Sequence, residues 1–137
     1  MAYWLVKSEP DSWSWQQQVE AGAKGTAWTG VRNHTAKQNL MKMKKGDKAF
    51  FYHSNEGKEI VGIAEVIKEH YPDPTDKSGA FVCVDIKADK ALKTPVTLVA
   101  VKADKKLANM ALIKLSRLSV QPVTADEWKH VSKLGGV

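Results

Sequence analysis

Two periodicities of apolar and polar positions run along this chain, and the switches between them mark its elements. Residues 3–7, Tyr-Trp-Leu-Val-Lys, form a short apolar and aromatic run closed by Ser8-Glu9-Pro10, which predicts a first strand. Pro10 removes a donor and disfavours helix at Glu9. Asp11 or Ser12 then stands where a cap belongs, for a helix ending near Glu20 with Gly22 as its stop. Trp13 and Trp15 are two apart and cannot share a helix face, so one is expected in the core and the other over its rim. After a loop over 23–27, the spacing of Ala36, Leu40 and Met43 predicts a second helix over 33–43, with Met41 and Met43 as core filler.

The second half switches towards alternation. Residues 48–54 are aromatic-rich and predict a strand, Asn55-Glu56-Gly57-Lys58 a hairpin loop, and residues 59–69 the returning strand. Gly62 inside that strand points to a bulge or a close backbone approach. Tyr71-Pro72-Asp73-Pro74-Thr75 reads as a loop, and residues 81–89 alternate as a half-buried strand. Pro95 is expected to break the next segment. One or two short helices follow over 97–110, with Leu98, Val101, Leu107 and Met110 inward, and then a strand over 112–120. Thr124 with Glu127 three positions on predicts a capped last helix, with Trp128, Val131 and Leu134 as its apolar face. The sum is one α+β domain over 1–137, with five or six strands and three or four short helices. No strand leads through a Gly-rich turn into a helix, which argues against a doubly wound sheet. A small, partly open mixed β-barrel flanked by helices fits the pattern better.

Composition narrows the class. With 137 residues, 43% hydrophobic and 26% charged, the chain can bury a core and reads as soluble and globular. No apolar run reaches bilayer length, and the N-terminus has no signal-peptide pattern, so cytoplasm or nucleus is expected, and no membrane partner. The single cysteine, Cys83, excludes an internal disulfide and reads as a buried small hydrophobe. A net charge of +6, with lysines clustered at 42, 44, 45 and 48 and at 102, 105 and 106, would attract phosphate backbones. The same lysines equally fit a solvated surface. A monomer is expected.

Several chemistries are missing. His34, His53, His70 and His130 have no metal-ligand spacing, and no phosphate loop, dinucleotide fingerprint or hydrolase elbow occurs, so neither metal nor cofactor is expected. The carboxylates Glu9, Glu65, Asp73 and Asp85 read as exposed or turn-capping. What remains is Trp28-Thr29-Gly30-Val31-Arg32-Asn33, an indole, a flexible turn, a fixed charge and an amide ahead of a helix. Such groups stack bases and meet phosphates or base edges. They also fit a tryptophan that caps the fold and an arginine paired with an acid.

Six motifs occur in order: Tyr3-Trp4-Leu5-Val6-Lys7-Ser8-Glu9-Pro10, Trp28 to Asn33, Phe51-Tyr52-His53-Ser54, Val61-Gly62-Ile63-Ala64-Glu65-Val66, Tyr71-Pro72-Asp73-Pro74 and Arg117-Leu118-Ser119-Val120-Gln121-Pro122. Together they resemble the EVE domain family, over nearly the whole chain. The resemblance implies a PUA-like barrel related to YTH domains, which close an aromatic cage around a methylated adenine. Lys7-Ser8 and Trp28 are placed like the corresponding YTH residues. The implied role is non-enzymatic binding of DNA or RNA carrying a modified base, notably a modified cytosine. In that role Trp28 stacks on the base, with Tyr71 or Phe81 as the opposite wall. Ser8, Asn33, His53 and Ser54 meet the base edge, beside Val31, Tyr52 and Ser119, and Arg32, Arg117 and the lysines over 42–48 hold phosphates. Two other readings stand beside it. One is an enzyme acting on a modified nucleotide or RNA, with His53 or Asp73 as its acid or base. The other is a small-molecule-binding barrel indifferent to salt.

Overall fold

The computed structural model describes residues 1–137. β1 (Tyr3–Ser8) is followed by α1 (Trp15–Glu20), a 3-10 turn, β2 (Thr26–Ala27) and α2 (His34–Lys42). Next come β3 (Lys48–His53), β4 (Glu59–Pro72), β5 (Val82–Thr97), α3 (Leu98–Ala103), a second 3-10 turn, α4 (Ala111–Lys114), β6 (Val120–Val123) and α5 (Ala125–Leu134). The strands make one six-stranded sheet in the order β2-β5-β4-β3-β1-β6. It does not close, so in place of the expected barrel there is an open sheet. The β3–β4–β5 meander and the β1–β6 and β2–β5 pairs are antiparallel, while β1 and β3 run parallel.

Alternation within the strands divides the core between the two faces of the sheet. Trp4 and Val6 of β1, with Ala49 and Phe51 of β3, face α2 and the Trp28 loop. Leu5, Phe50 and Tyr52 face the other way, into a layer closed by Leu107, Met110, Leu112 and Val131 from the C-terminal helices. Both faces are covered, which explains the nearly unbroken apolar run from Ala49 to Tyr52.

Caps set the helix boundaries. Ser14, not Asp11 or Ser12, starts α1, in a capping box with Gln17. Asn33 caps α2 by accepting from the Ala36 amide, and Thr124 with Glu127 caps α5 as expected. The close approach at Gly62 is real. A Cβ there would stand 2.4 Å from the Trp15 ring, so the indole lies directly on this backbone.

Four further expectations need correction. Pro95 does not break the chain, because β5 continues to Thr97. Between the pairs Ile60↔Val96 and Gly62↔Ala91 the register shifts, so Pro95 sits in an irregularity where a missing amide is tolerated. Tyr71 and Pro72 belong to the end of β4, not to a loop. Residues 112–119 are not a strand but α4 and a turn that leads into β6 at Val120, clamped by the buried Gln121, whose side-chain amide donates to the carbonyls of Ala111, Leu115 and Leu118. Met41, expected as core filler, and Leu134, expected on the apolar face of the last helix, are both exposed, at 42% and 41%. Trp128 is sandwiched between Tyr3 and Phe50, with ring centroids 4.6 and 3.9 Å away.

Candidate functional site

Three neighbouring strands end together, and that end is where the motif residues meet. Ser8 of β1 lies opposite His53 of β3, the Ser54 amide donates to the Ser8 carbonyl (2.9 Å), and the Lys7 amide donates to the Ser119 carbonyl (2.9 Å). The chain from Trp28 to Arg32 crosses above them. A cleft of about 230 Å³ opens here, lined by Ser8, Glu9, Ser12, Trp28, Arg32 and Ser119, with Lys7 and the segment from Thr29 to Val31 completing it. A second recess of about 230 Å³ lies beside the same indole, between Trp28 and Trp13, over Thr26, Ala27 and Thr29.

Trp28 belongs to both the core and the cleft. Its amide donates to the Val84 carbonyl of β5 (2.7 Å), its ring meets Phe51 edge-on with centroids 5.6 Å apart, and it is 9% exposed. The next residues are tied down by Asp73, whose side chain is fully buried. One Asp73 oxygen accepts from the Gly30 amide (2.9 Å) and the Arg32 guanidinium (3.1 Å), and the other from the amide and hydroxyl of Thr75 (both 2.7 Å). Burial alone would raise the carboxyl's pKa. The bonds from Thr75, Gly30 and Arg32 outweigh it and hold the group at about 2, so it is ionised at neutral pH. Gly30 has a positive φ of 85°, which a side-chain-bearing residue adopts only with strain, and this turns the chain so that its amide reaches Asp73. Asp73 therefore positions the loop, a role hidden while it reads as an ordinary turn carboxylate.

The thirteen site residues expected from the sequence divide into groups. Ser8, Trp28, Val31, Arg32 and Ser119 surround the cleft. Lys7 touches it but turns its side chain to the opposite face of the sheet, over the Tyr52 ring, and donates to the Ser116 carbonyl at 2.6 Å; burial lowers its pKa. Tyr52 is buried in that opposite layer and cannot face a base. His53 is taken up structurally, its Nε2 accepting from the Trp15 amide (3.0 Å), and Asn33 is used as the α2 cap. Ser54 contributes its amide to the strand-end ladder. Arg117 and Asn33 line a neighbouring recess of about 380 Å³ with Lys114 and Ser116.

Neither aromatic expected opposite Trp28 is there. Phe81 packs beside His34 (5.2 Å) and beneath Arg32 and Lys37, and Tyr71 donates to Asp85 under Lys68. The aromatic that does share a recess with Trp28 is Trp13, held by its Nε1–H to Gln18 (2.8 Å) and by the Ser8 hydroxyl, which donates to its carbonyl. Glu9, which the sequence offers as an exposed or turn-capping carboxylate, also lines the cleft. Of the lysines over 42–48, Lys48 is committed to Glu65 (2.6 Å) and Asp89 (3.0 Å). It pairs with Tyr3, at the far end of the strands from Ser8.

The fold has counterparts. The family model described as EVE domain matches residues 2–134. Thymocyte nuclear protein 1 from Homo sapiens is 32% identical over 97% of this chain and 73% of its own length. The Rhodopseudomonas palustris protein Rpa0253, solved by NMR, is 74% identical, with a TM-score of 0.94 over 99% of this chain and 94% of that one. Human THYN1, solved in complex with 5-methylcytosine containing DNA, is 31% identical, with a TM-score of 0.90 over 100% of this chain and 99% of that one. A YTH domain from Zygosaccharomyces rouxii, solved with N6-methyladenosine RNA, is 19% identical with a TM-score of 0.59 over 99% of this chain and 85% of that one, a likeness of fold. On the match across residues 2–134 and these relatives, the chain belongs to the EVE domain family.

Proposed function

We propose that this protein is a non-enzymatic, monomeric reader of a modified base in nucleic acid, with 5-methylcytosine in DNA as the leading ligand. The observation that carries this reading is the end-to-end likeness to human THYN1, which was solved with DNA containing that base. The cleft beside Trp28 supports it with suitable chemistry. A base in a duplex must be flipped out to enter. It would then stack against Trp28, with Trp13 on the neighbouring rim. The free Glu9 oxygen can accept from an exocyclic amine, since the other accepts from Asn55. Ser119 and Thr29 offer hydroxyls. Burying one methyl is worth only about 0.8 kcal/mol, so it favours the modified base several-fold, and hydrogen bonds to the base edge must supply the rest. Lys114 and Arg117, which form no ion pair within the chain, are placed to hold phosphates in the adjoining recess.

The test is a binding screen of oligonucleotides of DNA and RNA with different modified bases, at two salt concentrations. Methylated DNA should bind more tightly than its unmodified match. Trp28→Leu, which keeps apolar volume but removes the flat surface, should erase that preference and leave weak, salt-sensitive binding. Preference that survives in a folded Trp28→Leu variant would remove the cleft from the mechanism. Release or conversion of the modified base during incubation would overturn the non-enzymatic part.

A further inference from the structure

A roomy cavity of the molecule lies away from Trp28. It measures about 550 Å³ and opens where β1 and β3 begin, beside α5, five residues along the strands from Ser8 and His53 and so about 16 Å away. Its apolar walls are Tyr3, Ile63 and Trp128. Both faces of the Trp128 indole are already taken, by Tyr3 and Phe50 at interplanar angles of 19° and 20°, so the indole can offer the cavity only its edge. An aromatic edge is electropositive and favours the face of another ring.

The polar lining is one-sided. Lys90, Lys129 and Lys133 line the cavity and form no ion pair, while the one acidic side chain, Asp89, is engaged by Lys48. Ser132, also in the lining, has a buried hydroxyl with no partner in the protein. A buried polar atom left unpaired is costly and uncommon in a folded chain, which marks this hydroxyl as waiting for a ligand atom. Unpaired cations, an unpaired hydroxyl and an aromatic edge together ask for one kind of molecule, an acceptor-rich anion with a flat body. The volume lies within the range of small-molecule sites.

We propose that this cavity is a second binding site, independent of the Trp28 cleft, for a small aromatic anion of the nucleoside monophosphate class. The ring sits against Trp128 and Tyr3. The phosphate sits among Lys90, Lys129 and Lys133 and accepts from the Ser132 hydroxyl. The test follows backbone and indole NMR resonances of the full chain during titration with adenosine monophosphate, with adenosine and inorganic phosphate as separate arms. Saturable shifts are expected at the Trp128 indole and the Ser132 and Lys133 amides, with each half-ligand at least tenfold weaker. The Lys129→Ala/Lys133→Ala double variant changes two exposed side chains and should weaken the nucleotide at least tenfold. Trp28→Leu should leave it unchanged, so this site and the modified-base reading fail separately. Shifts confined to the Trp28 cleft, shifts reproduced by phosphate alone, or undiminished binding by the double variant would each overturn the proposal.

Discussion

Asp73 shows how much one side chain carries. It holds Gly30, Arg32 and Thr75, and its pKa of about 2 lies below the ordinary 3.8, so the folded state favours its ionised form. The stabilisation is fully present above about pH 4 and is lost as pH falls through 2. A shift of that size corresponds to roughly 2 to 3 kcal/mol. Asp73→Asn should flatten the acid limb of a stability-against-pH curve and weaken binding of the modified base, because an amide cannot accept from all four donors. An acid limb identical to that of the parent chain would refute the assignment. Arg32 illustrates what sequence can and cannot say at this scale. Its place next to a candidate pocket was legible, and so was the alternative that it pairs with an acid. That the acid is Asp73, 41 residues on, depended on the meander that brings the end of β4 to the loop. The missing wall failed for the same reason. Tyr71 and Phe81 looked apt because they stand in or near motifs, but their side chains were already spoken for by Asp85 and by His34, Arg32 and Lys37.

Elements were most legible where local chemistry decides them. The Thr124 and Glu127 box and the α2 stripe of Ala36 and Leu40 could be read directly, since caps and helical spacing act within a few residues. The segment over 112–120 misled because its compact turn depends on Gln121 reaching back to three carbonyls. Two predictions belong here. Gly62→Ala would drive a methyl into the Trp15 ring, 2.4 Å away, and should cost about 1 to 3 kcal/mol in a urea unfolding series, whereas Gly30→Ala, with open space around it, should cost only the strain of its positive φ. The second concerns pH. The His53 imidazole can accept from the Trp15 amide only when Nε2 is unprotonated, and burial lowers its pKa below 6.5 despite a smaller opposing pull from Glu59. This contact is therefore intact above pH 6.5 and lost as pH falls through the lowered value. Protection of the Trp15 amide from exchange should drop over that window, together with the start of α1. Unchanged protection below it would show that the contact is not held by the imidazole lone pair.

At the scale of the molecule, the sheet explains why charge alone was a poor guide. Lys48 lies at the opposite end of the strands from Ser8 and is neutralised by Glu65 and Asp89. The cations proposed to hold phosphates beside the cleft are Lys114 and Arg117, which the Leu118 turn delivers. Replacing either by Ala should weaken methylated and unmodified oligonucleotides alike and lower the slope of log affinity against log salt by about 1. A change in base preference instead would place that residue at the base. The open sheet also sets an order of events. β1, the first strand of the chain, sits between β3 and β6, so one of its neighbours comes from residues 120–123, near the far end. Such a pairing closes slowly, because the intervening chain must be gathered first. During synthesis, Ser8 and Ser119 cannot meet until β6 has left the ribosome. The cleft beside Trp28 is thus among the last features to form, and a chain truncated before Val120 would be expected to retain the β3–β4–β5 meander yet fail to bind the oligonucleotides.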